Sequence, residues 1–478
     1  MYLRSQTRAR PIRLSDRLQK PGSQLHLPFH RSKLPHDILA IVFAHLRETV
    51  TLRSPKPVWR EARRLDIVVG PLMQITMVCW YWREVALSCP FLWSAIPVLV
   101  ESGKLLALAN AQQVWYHLQL ANQAPLKLVI GARKDLGGPG VKYQYSLTYQ
   151  SLDFIAELAP RVRDLAIAFQ PDSDMLPVLH KPPHRFTNLE TLTFMGASQP
   201  NLLLEQANLS GCDHLHRVVW GFCLPASVPP PSFLMTPPVG LTEVLLADSW
   251  DATVPSDIAH AFLRAAKELV KFHSRISHSA PESTPTNFER LPLLQHNNLQ
   301  TLSIIFQGPT PDASLAPLIH ALRTPHLTSF SFELDWSATF SPTAVTGWVR
   351  TNGHSLTTFE CFSGHVKRTD LLLCLRAMPL LEVFKFAGAV SGSRRLRVAG
   401  VSPDKVLVDQ QFLAMFTAPV ATDVGLGQDS SGGLSTEEEM PCPALQEIHF
   451  DNTYFSSSHL DSFIKGRLYG NTRISSKC

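Results

Sequence analysis

The chain has 478 residues, 45% of them hydrophobic and only 17% charged, so it is too apolar to be disordered throughout and long enough to bury a large core. Its formal charge of +5 sits at one end: within residues 1–24, Arg4, Arg8, Arg10, Arg13, Arg17 and Lys20 face the single acid Asp16. The remainder is neutral on balance, which excludes a basic pI as an argument for nucleic-acid binding.

No run of about 18 apolar residues is present to span a membrane, and no apolar stretch near the start reads as a secretory signal. The eight cysteines form no CxxC pair and are expected to be reduced thiols of an intracellular protein, cytoplasmic or nuclear. Residues 1–32 carry Pro11, Pro21 and Pro28 among their arginines and are expected to be a basic disordered tail. An Arg-rich, acid-poor start is also the composition of a mitochondrial presequence or a nuclear import patch.

Residues 33–98 are dense in Leu, Ile, Val and Trp, with a charged, proline-marked insertion at 47–71. Pro35 suits the first turn of a helix, and Ile38, Leu39, Val42, Phe43 and Leu46 follow at helical spacing. A second apolar stretch runs from Leu72 through Ile75, Val78, Cys79, Trp82, Val85 and Ala86 to Cys89-Pro90, and Phe91-Leu92-Trp93 follows. Short amphipathic helices of this size bury little by themselves, so part of their apolar face needs another chain or the following domain. Trp80, Trp82 and Trp93 are also compatible with the core of an ordinary helical domain.

The order LPHDILAIVFAHL followed by VCWYWREVALSCPFLWSAI resembles an F-box, most closely that of the fungal F-box/leucine-rich-repeat families. Arg47–Pro71 separates the two halves more widely than in compact F-boxes. The resemblance implies docking onto a Skp-type adaptor of a cullin-type ubiquitin ligase. The residues it assigns to that docking are Leu34, Pro35, Ile38, Leu39, Phe43, Val78, Cys79, Trp82 and Trp93, some of which would hold the F-box together instead.

From 104 to 478 a strand-like word recurs, with apolar residues at its first, fourth and sixth positions. It reads VRDLAI at Val162, LETLTF at Leu189, LHRVVW at Leu215, LTEVLL at Leu241 and LVKFHS at Leu269. It continues as LQTLSI at Leu299, LTSFSF at Leu327, LTTFEC at Leu356, LEVFKF at Leu381 and LQEIHF at Leu445. Successive starts from Val162 to Leu381 lie 25 to 30 residues apart, close to the period of leucine-rich repeats. Candidate helices lie between words at Ile258–Leu269, Leu315–Leu322 and Leu371–Met378, and Lys104–Asn122 precedes the strand-like APLKLVI. The expected fold class is therefore α/β: a short all-helical segment, then an irregular leucine-rich-repeat-like solenoid with parallel strands. The segment 387–442, polar, glycine-rich and acidic in its second half, is expected to be a disordered loop.

Enzyme signals are sparse. Cys212, His214 and His216, with Cys223 beyond, match no common zinc spacing, and the two histidines merely flank a core leucine. Gly137, Gly138 and Gly140 lack the following Lys-Ser/Thr of a phosphate loop, and neither Gly-x-Ser-x-Gly nor His-Glu-x-x-His occurs. No catalytic residue, metal site or cofactor is expected, and neither membrane nor nucleic acid is an expected partner. The expected function is that of a substrate receptor, with the alternatives of an F-box scaffold outside a ligase or a leucine-rich-repeat regulator. In an L-x-x-L-x-L strand the third and fifth positions face the concave surface. This puts Lys271, His273, Thr358, Glu360, Lys385, Glu447 and His449 on one face as candidate contacts to a protein target.

Overall fold

A computed structural model describes residues 34–52, 74–100, 108–132, 157–169, 186–196, 209, 212–221, 232–246, 253–277, 291–307, 317–334, 343–362, 368–387, 442–451 and 473–477. The expectations for the tail 1–32, most of the insertion 47–71 and nearly all of 387–442 lie outside them.

Pro35 opens helix α1 (His36–Leu52), its carbonyl accepting the Leu39 N–H at 3.1 Å, and Asp37 in the first turn complements the positive end of the helix dipole. A helical turn over 74–78 precedes α2 (Trp80–Leu87), which Cys79 caps by accepting the Trp82 N–H on Sγ at 3.4 Å. Pro90 starts α3 (Pro90–Trp93), where its missing N–H costs nothing. α1 lies on α2 through an edge-to-face contact of Phe43 and Trp82, centroids 5.3 Å apart. Tyr81 Oη donates to Leu34 O, and His36 Nε2 shares a 2.9 Å hydrogen bond with Ser88 Oγ.

The sheet begins with β1 (Ala95–Val100), followed by helix α4 (Leu108–Ala121) and β2 (Leu126–Ala132). Next come β3 (Val162–Phe169), β4 (Thr191–Gly196), β5 (Arg217–Gly221) and β6 (Glu243–Leu246). The short β7 (Val254–Pro255) leads into α5 (Ser256–Ala265) and β8 (Lys271–Ser277). Then follow β9 (Leu294–Gln295), β10 (Thr301–Gln307), β11 (Leu322–Arg323), β12 (Ser329–Leu334) and helix α6 (Thr343–Asn352). The described chain closes with β13 (Thr358–Phe362), α7 (Arg368–Arg376), β14 (Val383–Ala387), β15 (Glu447–Asp451) and β16 (Arg473–Lys477). Fourteen strands make one parallel sheet in chain order with β7 beside β8, while β9 and β11 pair separately. This is a mixed α/β fold on a large parallel sheet.

All ten sequence words contain a strand, and two backbone devices repeat with them. A tight turn precedes the first leucine: Leu215, Leu241, Leu269, Leu327, Leu356 and Leu381 each donate N–H to the carbonyl three residues back. From Glu190 to Glu382, the carbonyl of each word's second residue then accepts two N–H groups of the next word. His216 O takes Thr242 and Glu243, Val270 O takes Gln300 and Thr301, and Thr357 O takes Glu382 and Val383. These bonds set the register that the first, fourth and sixth apolar positions then bury. Phe330, Phe359 and Phe384, opposite one another in β12, β13 and β14, stack with centroids 5.9 and 6.0 Å apart, and Trp348 of α6 covers Phe330 at 4.7 Å.

Helix ends depart from the sequence pattern where the turn takes over. Ile258–Leu269 is helical only to Ala265, because Ala266 leaves helical geometry and its carbonyl accepts the Leu269 N–H. Likewise α7 stops at Arg376, and Met378 closes the turn before Leu381. Helix α6 was not expected. Thr343, Val345, Thr346, Gly347 and Val349 are weak helix formers, and the helix is held by burial of Val345, Trp348 and Val349. The buried Asn352 braces its end, accepting the Thr324 N–H at 2.9 Å and donating to Trp348 O at 3.0 Å. At Gly353, which closes the next turn, a Cβ would lie 2.9 Å from Val349 Cγ1 and 3.0 Å from Ala377 O.

Ser274 breaks the apolar row. It sits between Leu246 and Ile304, is fully buried, and its hydroxyl has no hydrogen-bond partner. A buried unsatisfied hydroxyl costs on the order of 1–3 kcal/mol. Ser274→Ala should therefore stabilise the fold by about 1 kcal/mol in chemical denaturation; a lower midpoint for the variant would contradict this account.

Candidate functional site

Two surfaces carry the residues singled out in the sequence. On the helical segment the structure sorts the nine. Leu39, Phe43 and Trp93 are buried to 1% exposure or less and cannot touch a partner, Trp93 further fixed by donating Nε1–H to Ala86 O at 2.8 Å. Trp82 is half-buried against Phe43. Leu34, Pro35, Ile38, Val78 and Cys79 are exposed. Four apolar residues that the sequence did not assign join them: Ile41 at 65%, Val42, Met77, and Trp80 at 70% exposure. The signal for the α1 members is helical phase, since Ile38 and Val42 lie roughly 80–120° around the helix from the midpoint of the buried pair Leu39 and Phe43, and Ile41 lies on the opposite side. This much exposed apolar side chain on α1, the turn at 74–78 and the start of α2 makes a candidate interaction surface.

The second surface is the open face of the sheet, formed by the third and fifth positions of each word. The structure brings the expected residues together there. Glu360, Lys385 and His449 are register partners on β13, β14 and β15, as are Thr358, Val383 and Glu447. Lys271 and His273 lie on the same face of β8, whose alternate residues Phe272, Ser274 and Ile276 are buried. Polar side-chain pairs run along it. Lys385 Nζ is 2.5 Å from Glu360 Oε1 on the neighbouring strand, and within β15 His449 Nε2 donates to Glu447 at 3.2 Å. Arg217, on β5, and Glu243, on β6, were not singled out in the sequence although they occupy third positions. Arg217 Nε lies 3.2 Å from Glu243 Oε1, and Lys271 Nζ lies 4.0 Å from Oε2 of the same carboxylate.

His273 shares a 2.8 Å hydrogen bond from Nδ1 with Ser303 Oγ. Burial, helped by the neighbouring Arg275 guanidinium, pushes its pKa down to about 4, so the ring is neutral at pH 7. Burial also lowers His117, against a hydrogen bond to the Ala95 backbone, and His296, against its bond to Ala266 O and the nearby Glu268. The thiols take the opposite direction: burial and Asp213 raise Cys212 to about 11, and burial raises Cys361. Of the nearest approach to a metal set, Cys212 is buried while His214 and His216 are exposed, and Cys223 lies outside the described residues. Among the described residues no three metal-binding side chains gather, and no helix is long and apolar enough to cross a membrane. No family model matches the chain, and no curated protein matches it.

The lowered histidines give a signed pH dependence. Between the ordinary histidine pKa near 6.5 and about 4, the unfolded chain binds protons that folded His273 refuses, so stability falls as pH drops through that window. His117 and His296 act in the same direction. The denaturant midpoint should be lower at pH 5 than at pH 7, and His273→Gln should narrow the difference. Equal midpoints at the two pH values would show that these rings do not resist protonation.

Proposed function

We propose that this chain is an F-box protein with a leucine-rich-repeat-like solenoid, serving as the substrate receptor of a cullin-type ubiquitin ligase. The observation that carries the reading is the exposed apolar surface of α1 and 74–80, which falls within the residues that resemble an F-box. Its five exposed members of the expected set, with Ile41, Val42, Met77 and Trp80 around them, supply the area that a Skp-type adaptor would cover. Leu39, Phe43 and Trp82 hold the two halves together beneath it. The order of the sheet, one strand per word with register kept from β3 to β15, is the arrangement expected of a repeat solenoid. The open face then presents a target protein, and the contribution to rate is proximity: a target lysine is held near a ubiquitin-charged enzyme supplied by other subunits.

The adaptor half is tested by Ile38→Glu with Val78→Glu. Both side chains are exposed, so melting should be nearly unchanged. Co-purification with the adaptor should drop at least tenfold, as expected when apolar anchors are replaced by charges; undiminished recovery would remove the F-box assignment. Ubiquitin conjugation that depends on the cullin then separates a ligase from a scaffold.

The target half is tested by exchanging the pair, Glu360→Lys with Lys385→Glu, which keeps the ion pair and inverts the pattern. Target capture should be lost. A target retained by the exchange but lost from a chain lacking 388–440 would place the binding site outside the open face.

A further inference from the structure

The fifth-position row of the open face changes character at a single point. From β2 to β6 it reads Val129, Ala166, Thr193, Val219 and Leu245, without a charge and with four apolar members. From β8 onward every member is polar: His273, Ser303, Ser331, Glu360, Lys385 and His449. Val219 is only 5% exposed although it does not belong to the main core, so it forms the floor of a shallow apolar strip.

The boundary strand, β8, turns Lys271, His273 and Arg275 toward this face, three side chains of the basic class and no acid. Glu243 on the adjacent strand serves both Arg217 and Lys271, two cations for one carboxylate, and the Lys271 side chain is 58% exposed. On the other side, β10 presents the hydroxyls of Thr301 and Ser303 opposite Lys271 and His273. The depressed protonation of His273, owed to burial and Arg275, is what a positive, partly desolvated spot imposes on an imidazole.

We propose that the open face binds a segment of another protein that is apolar followed by acidic. Its apolar side chains lie over the strip from β2 to β6, and its carboxylate is received at β8 by Lys271, with the hydroxyls of Thr301 and Ser303 beside it. Strand spacing of about 4.8 Å makes the distance from Val129 to His273 about 24 Å, the length of roughly sixteen helical residues. The inference rests on the reading that the open face holds the target, and it adds the chemistry of that target. A carboxylate fits because Arg217 and Lys271 share the single carboxylate of Glu243, while the fifth-position row from β2 to β6 carries no charge.

The test is selection of a random peptide display library on the purified full chain, which involves no ligase activity. Selected peptides should combine clustered Leu, Ile, Val or Phe with Asp or Glu. Their binding should weaken at least tenfold on Lys271→Glu and on Leu245→Ser, both folded by thermal melting. Selection on Lys271→Glu should instead favour Lys or Arg, since inverting the receiving charge inverts the preference. No enrichment, enrichment without an acidic bias, or binding to either variant as tight as to the unaltered chain would overturn the proposal. So would binding seen only with a chain lacking 388–440, because the face would then be covered by the chain's own segment. If peptide selection fails while the Glu360 and Lys385 exchange still abolishes target capture, the inferred chemistry is wrong and the open-face reading survives. If both fail, the open face is not the site.

Discussion

A parallel strand cannot be closed by a tight hairpin, so each strand in this sheet depends on a crossover returning the chain to the same starting line. The doubly accepting carbonyl at the second position of the words from Leu189 to Leu381 supplies that line. Thr242 O, Val270 O, Gln300 O, Thr328 O, Thr357 O and Glu382 O each accept two successive N–H groups from the next word. The turn immediately before delivers the first leucine to the same depth each time. Loss of register by one residue would expose the fourth and sixth positions and bury the third and fifth, reversing both faces of the strand at once. Thr242, Thr328 and Thr357 reinforce the line with side-chain bonds to the preceding carbonyl of 3.2, 3.1 and 3.2 Å.

Both faces follow from that constraint. The buried face uses aromatic rings in register, as in the Phe330, Phe359 and Phe384 stack, so each repeat contributes to its neighbour's core as well as its own. The open face uses charge in register: Arg217 with Glu243, and Glu360 with Lys385, meet because their words hold the same position on adjacent strands. These exposed pairs add little stability. Their consequence is to neutralise the face locally, which leaves a place such as Lys271, where the pairing is uneven, distinguishable from its surroundings.

Much of the sheet was legible because leucine at the first position and apolar residues at the fourth and sixth recur with little variation. What lay outside that pattern was not legible. β1 reads AIPVLV, with Pro97 inside it, and β16 reads RISSK; neither contains the word, and each is a strand because a neighbour offers it a ladder. Helix ends were misplaced by up to four residues at Ile258–Leu269, since an apolar residue closing a turn is indistinguishable in sequence from one continuing a helix. The division of the helical segment was hidden for a related reason. Ile38 and Leu39 are equally apolar and adjacent, and only the position of Trp82 against Phe43 decides which faces water.

The helical segment and the sheet share one core, and Trp93 stands at the junction. Its ring meets Tyr116 and His117 of α4 edge to face at 6.1 and 5.4 Å, while its indole N–H is tied to Ala86 O at the end of α2. Ile96 and Val98, on the strand that follows, continue the same buried cluster. A catalyst that works by proximity gains only if the two things it holds keep a defined separation. On the proposed reading, the adaptor surface on α1 and the target face of the sheet are connected through this packed junction instead of a linker. Rotation of one against the other would require Trp93 to give up its ring contacts with Tyr116 and His117. On that reading Trp93 is one of the residues that hold the helical segment together, and it sets the direction in which the proposed adaptor surface points.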